Sequence, residues 1–186
     1  WSFDADNRKK VPRHLVNALP TLPEPTIDDL DEAARQYVER HYPNHIGSLN
    51  RLIYPTSHAG AARWLARFVT DRFRLFGDYE DALVKGESVL WHSVLTPMLN
   101  IGLLTPQQIL TATLNPEVSG HIPINSQEGF VRQIIGWRKF VRATYEDLGV
   151  PMRTTNHWGH RRPISPRFYE ATTGIEPVDD VIRRVL

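Results

Sequence analysis

The stretch "WHSVLTPMLNIGLLTP", residues 91 to 106, sets His92, Ser93 and Thr96 together immediately ahead of an apolar run. Hydroxyls at the start of a helix have two chemical uses. They accept hydrogen bonds from the first free backbone N–H groups and so cap the helix. Or they stand beside those N–H groups and help hold an anion, which the exposed amides already favour. On the second reading Ser93 and Thr96 hold a phosphate or diphosphate, with His92 nearby. The spacing alone leaves both open.

A second group lies in "RQIIGWRKFVR". Gln133 and Trp137 are four apart and share a helix face, with Arg132, Arg138 and Arg142 around it. An aromatic plate flanked by guanidinium groups suits a planar, anionic ligand, or an unstacked base beside its phosphates. The same pattern serves a core tryptophan whose arginines snorkel to solvent. A third group, "RTTNHWGHRRPISPR", gathers Arg153, His157, His160, Arg161, Arg162 and Arg167 around Trp158. It suits phosphate tracking with base stacking, or is a solvated basic loop. No metal site is predicted. His41 and His45 are separated by the helix breaker Pro43, His157 and His160 lack partners, and "DADN" at residues 4–7 lacks the glycine and distal glutamate of a calcium loop. The chain also has no Gly-x-Ser-x-Gly elbow, phosphate-binding Walker loop or dinucleotide fingerprint.

Helices must position these groups. In "TIDDLDEAARQYVERHYP" Thr26 is the expected cap, with Asp29 closing a capping box, and Ile27, Leu30, Ala34, Tyr37 and Val38 recur at helical spacing. Ser57 should cap a helix whose apolar stripe is Ala61, Trp64, Leu65, Phe68 and Val69 and whose stop is Gly77. Thr105, Pro106 and Gln108 mark another start. The longest helix should begin at Asn125 or Ser126, end at Gly149 and Pro151, and bury Phe130, Ile134, Trp137, Val141 and Tyr145. No period-2 alternation occurs, so the fold class is all-α, a bundle with 58–74 and 127–148 as its main core elements. Residues 1–25, with Pro12, Pro20, Pro23 and Pro25, read as an extended arm or linker, and 26–186 as the helical region.

At 186 residues the chain can bury a sizeable core in one or at most two domains. No apolar run approaches the ~20 residues needed to span a bilayer. A formal charge of +1 means that nucleic-acid affinity must come from local patches. The absence of cysteine excludes disulfides, thiolate metal ligands and thiol nucleophiles within these residues, and fits a reducing, cytoplasmic setting. The chain opens on Trp1 and stops inside "PVDDVIRRVL", which reads as a helix barely begun, so it is expected to be a piece of a longer protein.

Four blocks in order, "WSFDADNRK", "FRLFGDYEDAL", "LWHSVLTPMLNIGLLTP" and "PINSQEGFVRQIIGWRKFVRATY", resemble the photolyase–cryptochrome superfamily. The nearest branch is the bacterial deoxyribodipyrimidine photolyase-related proteins, also called iron–sulfur bacterial cryptochromes and photolyases. The resemblance implies the first half of a helical domain that binds FAD in a bent conformation, without the α/β antenna domain. It assigns Ser93, Leu95, Thr96 and Asn100, with His92, to the FAD diphosphate. It sets Trp137 toward the lesion as the candidate catalytic residue, and Arg132, Gln133 and Arg138 toward the flavin. Damaged DNA is the implied partner, with Arg142, Arg153, Arg161 and Arg162 as candidate DNA contacts. The implied chemistry is light-driven electron transfer from reduced flavin to a pyrimidine dimer or (6-4) photoproduct.

Two departures stand out. Relatives carry an arginine where this chain has His58. Iron–sulfur members have a Phe-Tyr-Trp-Thr-Gly stretch followed by a cluster cysteine, whereas here Glu170 follows Tyr169 and no cysteine follows, which argues against a standard four-cysteine cluster. Two other readings remain at this stage: a blue-light receptor on the same fold without repair, and a helical bundle that binds no ligand.

Overall fold

The computed structural model describes residues 7–45 and 47–185. The first six residues of the "WSFDADNRK" block, including most of "DADN", therefore lie outside the described residues. The element order is α1 Arg13–Val16, α2 Asp29–His41, α3 His58–Asp71, α4 Phe73–Tyr79, α5 Thr96–Asn100, α6 Pro106–Leu114, α7 Pro116–Ser119, α8 Ile124–Thr154, α9 Arg167–Glu170 and α10 Glu176–Val185. The fold is all-α, and no strand occurs among the described residues. None of their helices is long and apolar enough to cross a membrane. The chain forms two compact bodies, Trp1–Thr26 with Ile53–Thr144, and Ile27–Leu52 with Tyr145–Leu186.

In the first body α3 begins as expected, with Ser57 Oγ accepting from the Gly60 N–H at 3.2 Å. Its buried face is Ala61, Trp64, Leu65 and Phe68, spaced three and four apart. The helix does not run on to Gly77. It breaks at Arg72, whose backbone leaves helical geometry and whose buried guanidinium donates to the Pro20 carbonyl. That bond ties the proline-bearing segment to the core, and residues 13–16 of the same segment form a helical turn. The core centres on four phenylalanines. Phe68 lies 4.7 Å from Phe130 and 5.3 Å from Phe73, and Phe76 lies 5.3 Å from Phe130. Leu95, Met98, Leu104 and Ile109 complete it.

Gly77 is a crossing point rather than a stop. Its N–H donates to Ser126 Oγ at 2.8 Å, and Ser126 Oγ donates in turn to the Arg74 carbonyl at 3.1 Å. A Cβ on Gly77 would lie 2.5 Å from the Ser126 nitrogen, so α4 meets the start of α8 backbone to backbone. Asp78 extends the joint, accepting from Asn125 Nδ2 at 2.8 Å and Lys9 Nζ at 2.9 Å.

The longest helix departs from expectation at both ends and on one face. It starts at Ile124 and continues through Gly149 and Pro151 to Thr154. Gly149 is not among the residues with positive φ, so it makes no left-handed stop. Pro151 removes one backbone donor, but its carbonyl still accepts from the Thr155 N–H at 2.9 Å, and the Val150 carbonyl accepts from Thr154 Oγ1 at 2.9 Å. Phe130 and Ile134 are buried, as expected, but Trp137, Val141 and Tyr145 are exposed. Buried packing on this stripe ends at Ile134.

In the second body the cap of α2 is Asp28, not Thr26. Asp28 Oδ1 accepts from the Leu30 and Asp31 N–H groups at 2.9 and 3.1 Å, and Asp31 Oδ2 accepts from the Asp28 N–H at 3.0 Å. The apolar stripe of α2 is not buried: Leu30 is 79% exposed, and Asp31 is the buried residue. Ahead of α10, Asp179 closes a turn. Its carboxylate accepts from the Thr173 N–H and Oγ1 at 2.9 and 2.6 Å and from the Gly174 N–H at 3.0 Å. Those bonds, led by the Thr173 hydroxyl, hold its pKa below the ordinary value.

Candidate functional site

The segment from Leu90 to Asn100 is bent by two residues in the left-handed region, Leu90 at φ 49° and Val94 at φ 53°. Neither is glycine, and for a β-branched valine this conformation is an outlier costing about 1–3 kcal/mol. The core pays for it. Leu90, Trp91 and Leu95 are buried, and Trp64 Nε1 donates to the Ser93 carbonyl at 3.1 Å. His92 and Ser93 are thereby presented between two fixed left-handed corners.

This geometry bears on capping. The N-cap position of α5 is Leu95, and no side chain caps the helix. Thr96 and Asn100 are exposed and lie one turn apart. Leu95 is a core residue, so only its backbone is placed to meet a ligand. His92 is exposed as a residue, but its ring is partly shielded, lying edge-on to Phe76 at 5.7 Å. Desolvation pushes its pKa down, against the opposing pull of the Glu80 carbonyl and Asp81, so it is neutral at pH 7.

In the same body, an open cavity of about 450 Å³ is lined by Asn7, Glu80, Arg132, Gln133, Trp137 and Phe140 among others. Three residues singled out in the sequence, Arg132, Gln133 and Trp137, meet here. Trp137 is 62% exposed and stands edge-on to Phe140 at 6.2 Å, so it is not a core residue. Arg132 pairs with Glu128 at 3.1 Å. Arg138 does not line this cavity; it is partly buried and donates to the Ile134 carbonyl at 2.9 Å. Asn7 and Glu80 were not anticipated. They are 73 positions apart and bond through Asn7 Nδ2 to Glu80 Oε1 at 2.7 Å. The trace in the sequence is that Asn7 falls within the "WSFDADNRK" block and Glu80 within the "FRLFGDYEDAL" block.

The basic segment lies in the second body. Trp158 is 77% exposed, edge-on to His157 at 5.0 Å and stacked on His160 at 6.5 Å. Arg153 lies 5.8 Å from the centre of the Tyr145 ring, and Arg161 and Arg162 are exposed. Arg142, also exposed, belongs to the first body. Among the described residues no group of three or more histidines or acids could hold a metal ion.

The family model for deoxyribodipyrimidine photolyase-related protein matches residues 1–54. A (6-4) photolyase of Agrobacterium fabrum is 33% identical over 175 residues, which are 91% of this chain and 33% of that protein. The chain belongs to the photolyase-related family. An uncharacterised protein of Acanthamoeba polyphaga mimivirus is 36% identical over 102 residues, covering 54% of this photolyase-related chain and 78% of the viral protein. The chain thus spans about a third of the length of the (6-4) photolyase it matches. The family-model match ends before α3, so of the cavity-lining residues it includes Asn7 and Arg8 but none on α8.

Proposed function

We propose that this chain is the FAD-binding region of a flavoprotein that repairs pyrimidine dimers or (6-4) photoproducts in DNA by light-driven electron transfer. One observation carries the reading: the 90–100 segment holds two strained non-glycine corners and leaves Ser93 and Thr96 uninvolved in capping α5. Strain of this kind persists where the surrounding structure enforces it, and it gathers at ligand clamps. The residues fit a diphosphate. Ser93, Thr96 and Asn100 offer neutral donors, the Leu95 backbone adds to them, and His92 is uncharged at the rim.

When bound, FAD supplies the light-driven redox chemistry. The chain's own residues bind and orient. Trp137 presents an exposed plate on which an extruded base stacks, and Arg132 and Gln133 beside it, with Arg138 on the same helix, are the flavin contacts. Arg142, Arg153, Arg161 and Arg162 follow the DNA phosphates.

Thr96→Val tests the diphosphate seat, since Thr96 is exposed and the substitution leaves the core alone. Losing one charge-assisted hydrogen bond costs about 1.5–3 kcal/mol, or roughly ten- to a hundred-fold in FAD affinity. Flavin titration of the intact protein reads this directly. Unchanged affinity would remove Thr96 from the site, and intact protein that restores no pyrimidines under blue light would overturn the repair reading.

A further inference from the structure

The Asn7–Glu80 bond leaves two oxygens without a hydrogen-bond partner. Asn7 Oδ1 and Glu80 Oε2 are both buried and unpaired, and Asn7 is only 4% exposed. Although the two residues line the open cavity, these two atoms are themselves shielded: α8 passes over the pair at Gly129, where an added Cβ would lie 2.9 Å from Glu80 Oε2 and 3.4 Å from Asn7 Nδ2. An ionised carboxylate has acceptors only, and the Asn7 oxygen is another acceptor, so in that state neither atom satisfies the other. One proton on Oε2 changes this. A carboxylic acid and a carboxamide joined by one N–H···O bond can form a second, O–H···O bond, closing a planar ring.

We propose that Glu80 is a positioning residue of the Trp137 cavity: its carboxyl carries a proton that closes a two-bond ring with Asn7, and this ring holds Asn7 and Arg8 in the cavity wall. The charged surroundings support it. On the N-terminal segment Arg8 pairs with Asp81 at 3.4 Å and Lys9 with Asp78 at 2.9 Å. On α8 Arg132 pairs with Glu128 at 3.1 Å, so each nearby cation already serves another carboxylate. His92 is uncharged, and the part of Glu80 that acts on its ring is the backbone carbonyl, not the carboxyl. Desolvation raises the Glu80 pKa, Asp81 and Glu128 add to the rise, and Asn7 and Arg132 oppose it. The ring stands on this geometry alone; its service to a stacked base rests on the function proposed above.

The test needs neither flavin nor DNA. Carbon-detected NMR of the protein labelled at glutamate carboxyls should show Glu80 titrating above the ordinary value of 4.5. The Lys9 amide, which donates to the Asp78 carbonyl at 3.1 Å, reports whether the segment is held. After correction for intrinsic exchange, its protection should fall ten-fold or more as pH rises through that titration. Glu80→Gln places an amide donor where the acid proton sits, so it should keep the protection and abolish its pH dependence. Glu80→Ala should lose protection at every pH. The proposal is overturned if Glu80 titrates with the exposed carboxylates, or if Glu80→Gln frees Lys9 as fully as Glu80→Ala does. Should Glu80→Ala fail to fold, the wild-type titration and Glu80→Gln still decide it. A protein that passes these tests yet binds no damaged DNA would overturn the proposed function and leave the ring intact.

Discussion

Protonating His92 should cost stability. Its folded pKa lies below the ordinary 6.5, chiefly through desolvation, so its neutral form is favoured by folding. The associated stability is present above the unfolded pKa and is lost as pH falls through the lower folded value. His92→Gln should therefore flatten the acid limb of stability between pH 7 and 5, as read from urea midpoints; parallel midpoints in the two proteins would show the ring to be uncoupled from folding. Glu80 has the opposite sign: its raised pKa contributes stability in acid that is lost as pH rises through the folded value. Trp137 is exposed enough to be removed without a cavity. Trp137→Ala should leave the melting temperature nearly unchanged and weaken binding of damaged DNA by about 1–3 kcal/mol. Undamaged duplex should be less affected, and an equal loss on both would argue against stacking. Residue types and helical spacing placed Gln133 and Trp137 together in the sequence, because that relation is local. The Asn7–Glu80 pair was not legible, since it depends on a meeting across 73 positions.

Two helix starts were readable because the cap is a short-range bond with one candidate residue. Ser57 and the Thr105–Gln108 box form as their spacing requires. The start of α2 shows why the rule can slip. Thr26 with Asp29 and Asp28 with Asp31 both have capping-box spacing, and the chain uses the second. Glycine was the harder residue to read. At Gly77 the absent side chain serves a close helix crossing, which sequence spacing cannot distinguish from a stop. Gly77→Ala sets the gain in helix propensity, about 1 kcal/mol, against a methyl driven into the backbone of Asn125 and Ser126. Overpacking of a core typically costs about 1–3 kcal/mol, occasionally more, and backbone yields less than a side chain does, so the net effect should be a lower melting temperature. Gly149→Ala is the matched control. The nearest atoms there belong to the exposed Tyr145 ring, at 3.2 Å or more, and that ring can turn aside. Equal losses at the two positions would show that the crossing is looser than its distances imply.

For the molecule as a whole, a net charge of +1 points to local basic patches, and the exposed arginines of the 153–167 segment form one in the second body. Each phosphate contact contributes about 0.9 to the slope of log affinity against log salt. Arg161→Ala combined with Arg162→Ala should flatten that slope by up to ~2 and weaken damaged and undamaged DNA alike; an unchanged slope would leave the segment as a solvated loop. The all-α class and the phenylalanine core were readable because periodicity records which face of a helix is apolar. It does not record whether anything covers that face. For that reason Phe130 and Ile134 were placed correctly, while Trp137, Val141 and Tyr145 were not.

The four described tryptophans divide evenly. Trp64 and Trp91 are 2% and 3% exposed, and Trp137 and Trp158 are 62% and 77% exposed. Of the exposed pair, Trp137 belongs to the first body and Trp158 to the second. Each body thus carries its own solvent-facing fluorophore. A water-borne quencher such as iodide reaches these two indoles and spares the two buried ones, so in a Trp1→Phe background replacing either exposed tryptophan with phenylalanine leaves a quenchable light that reports on one body at a time.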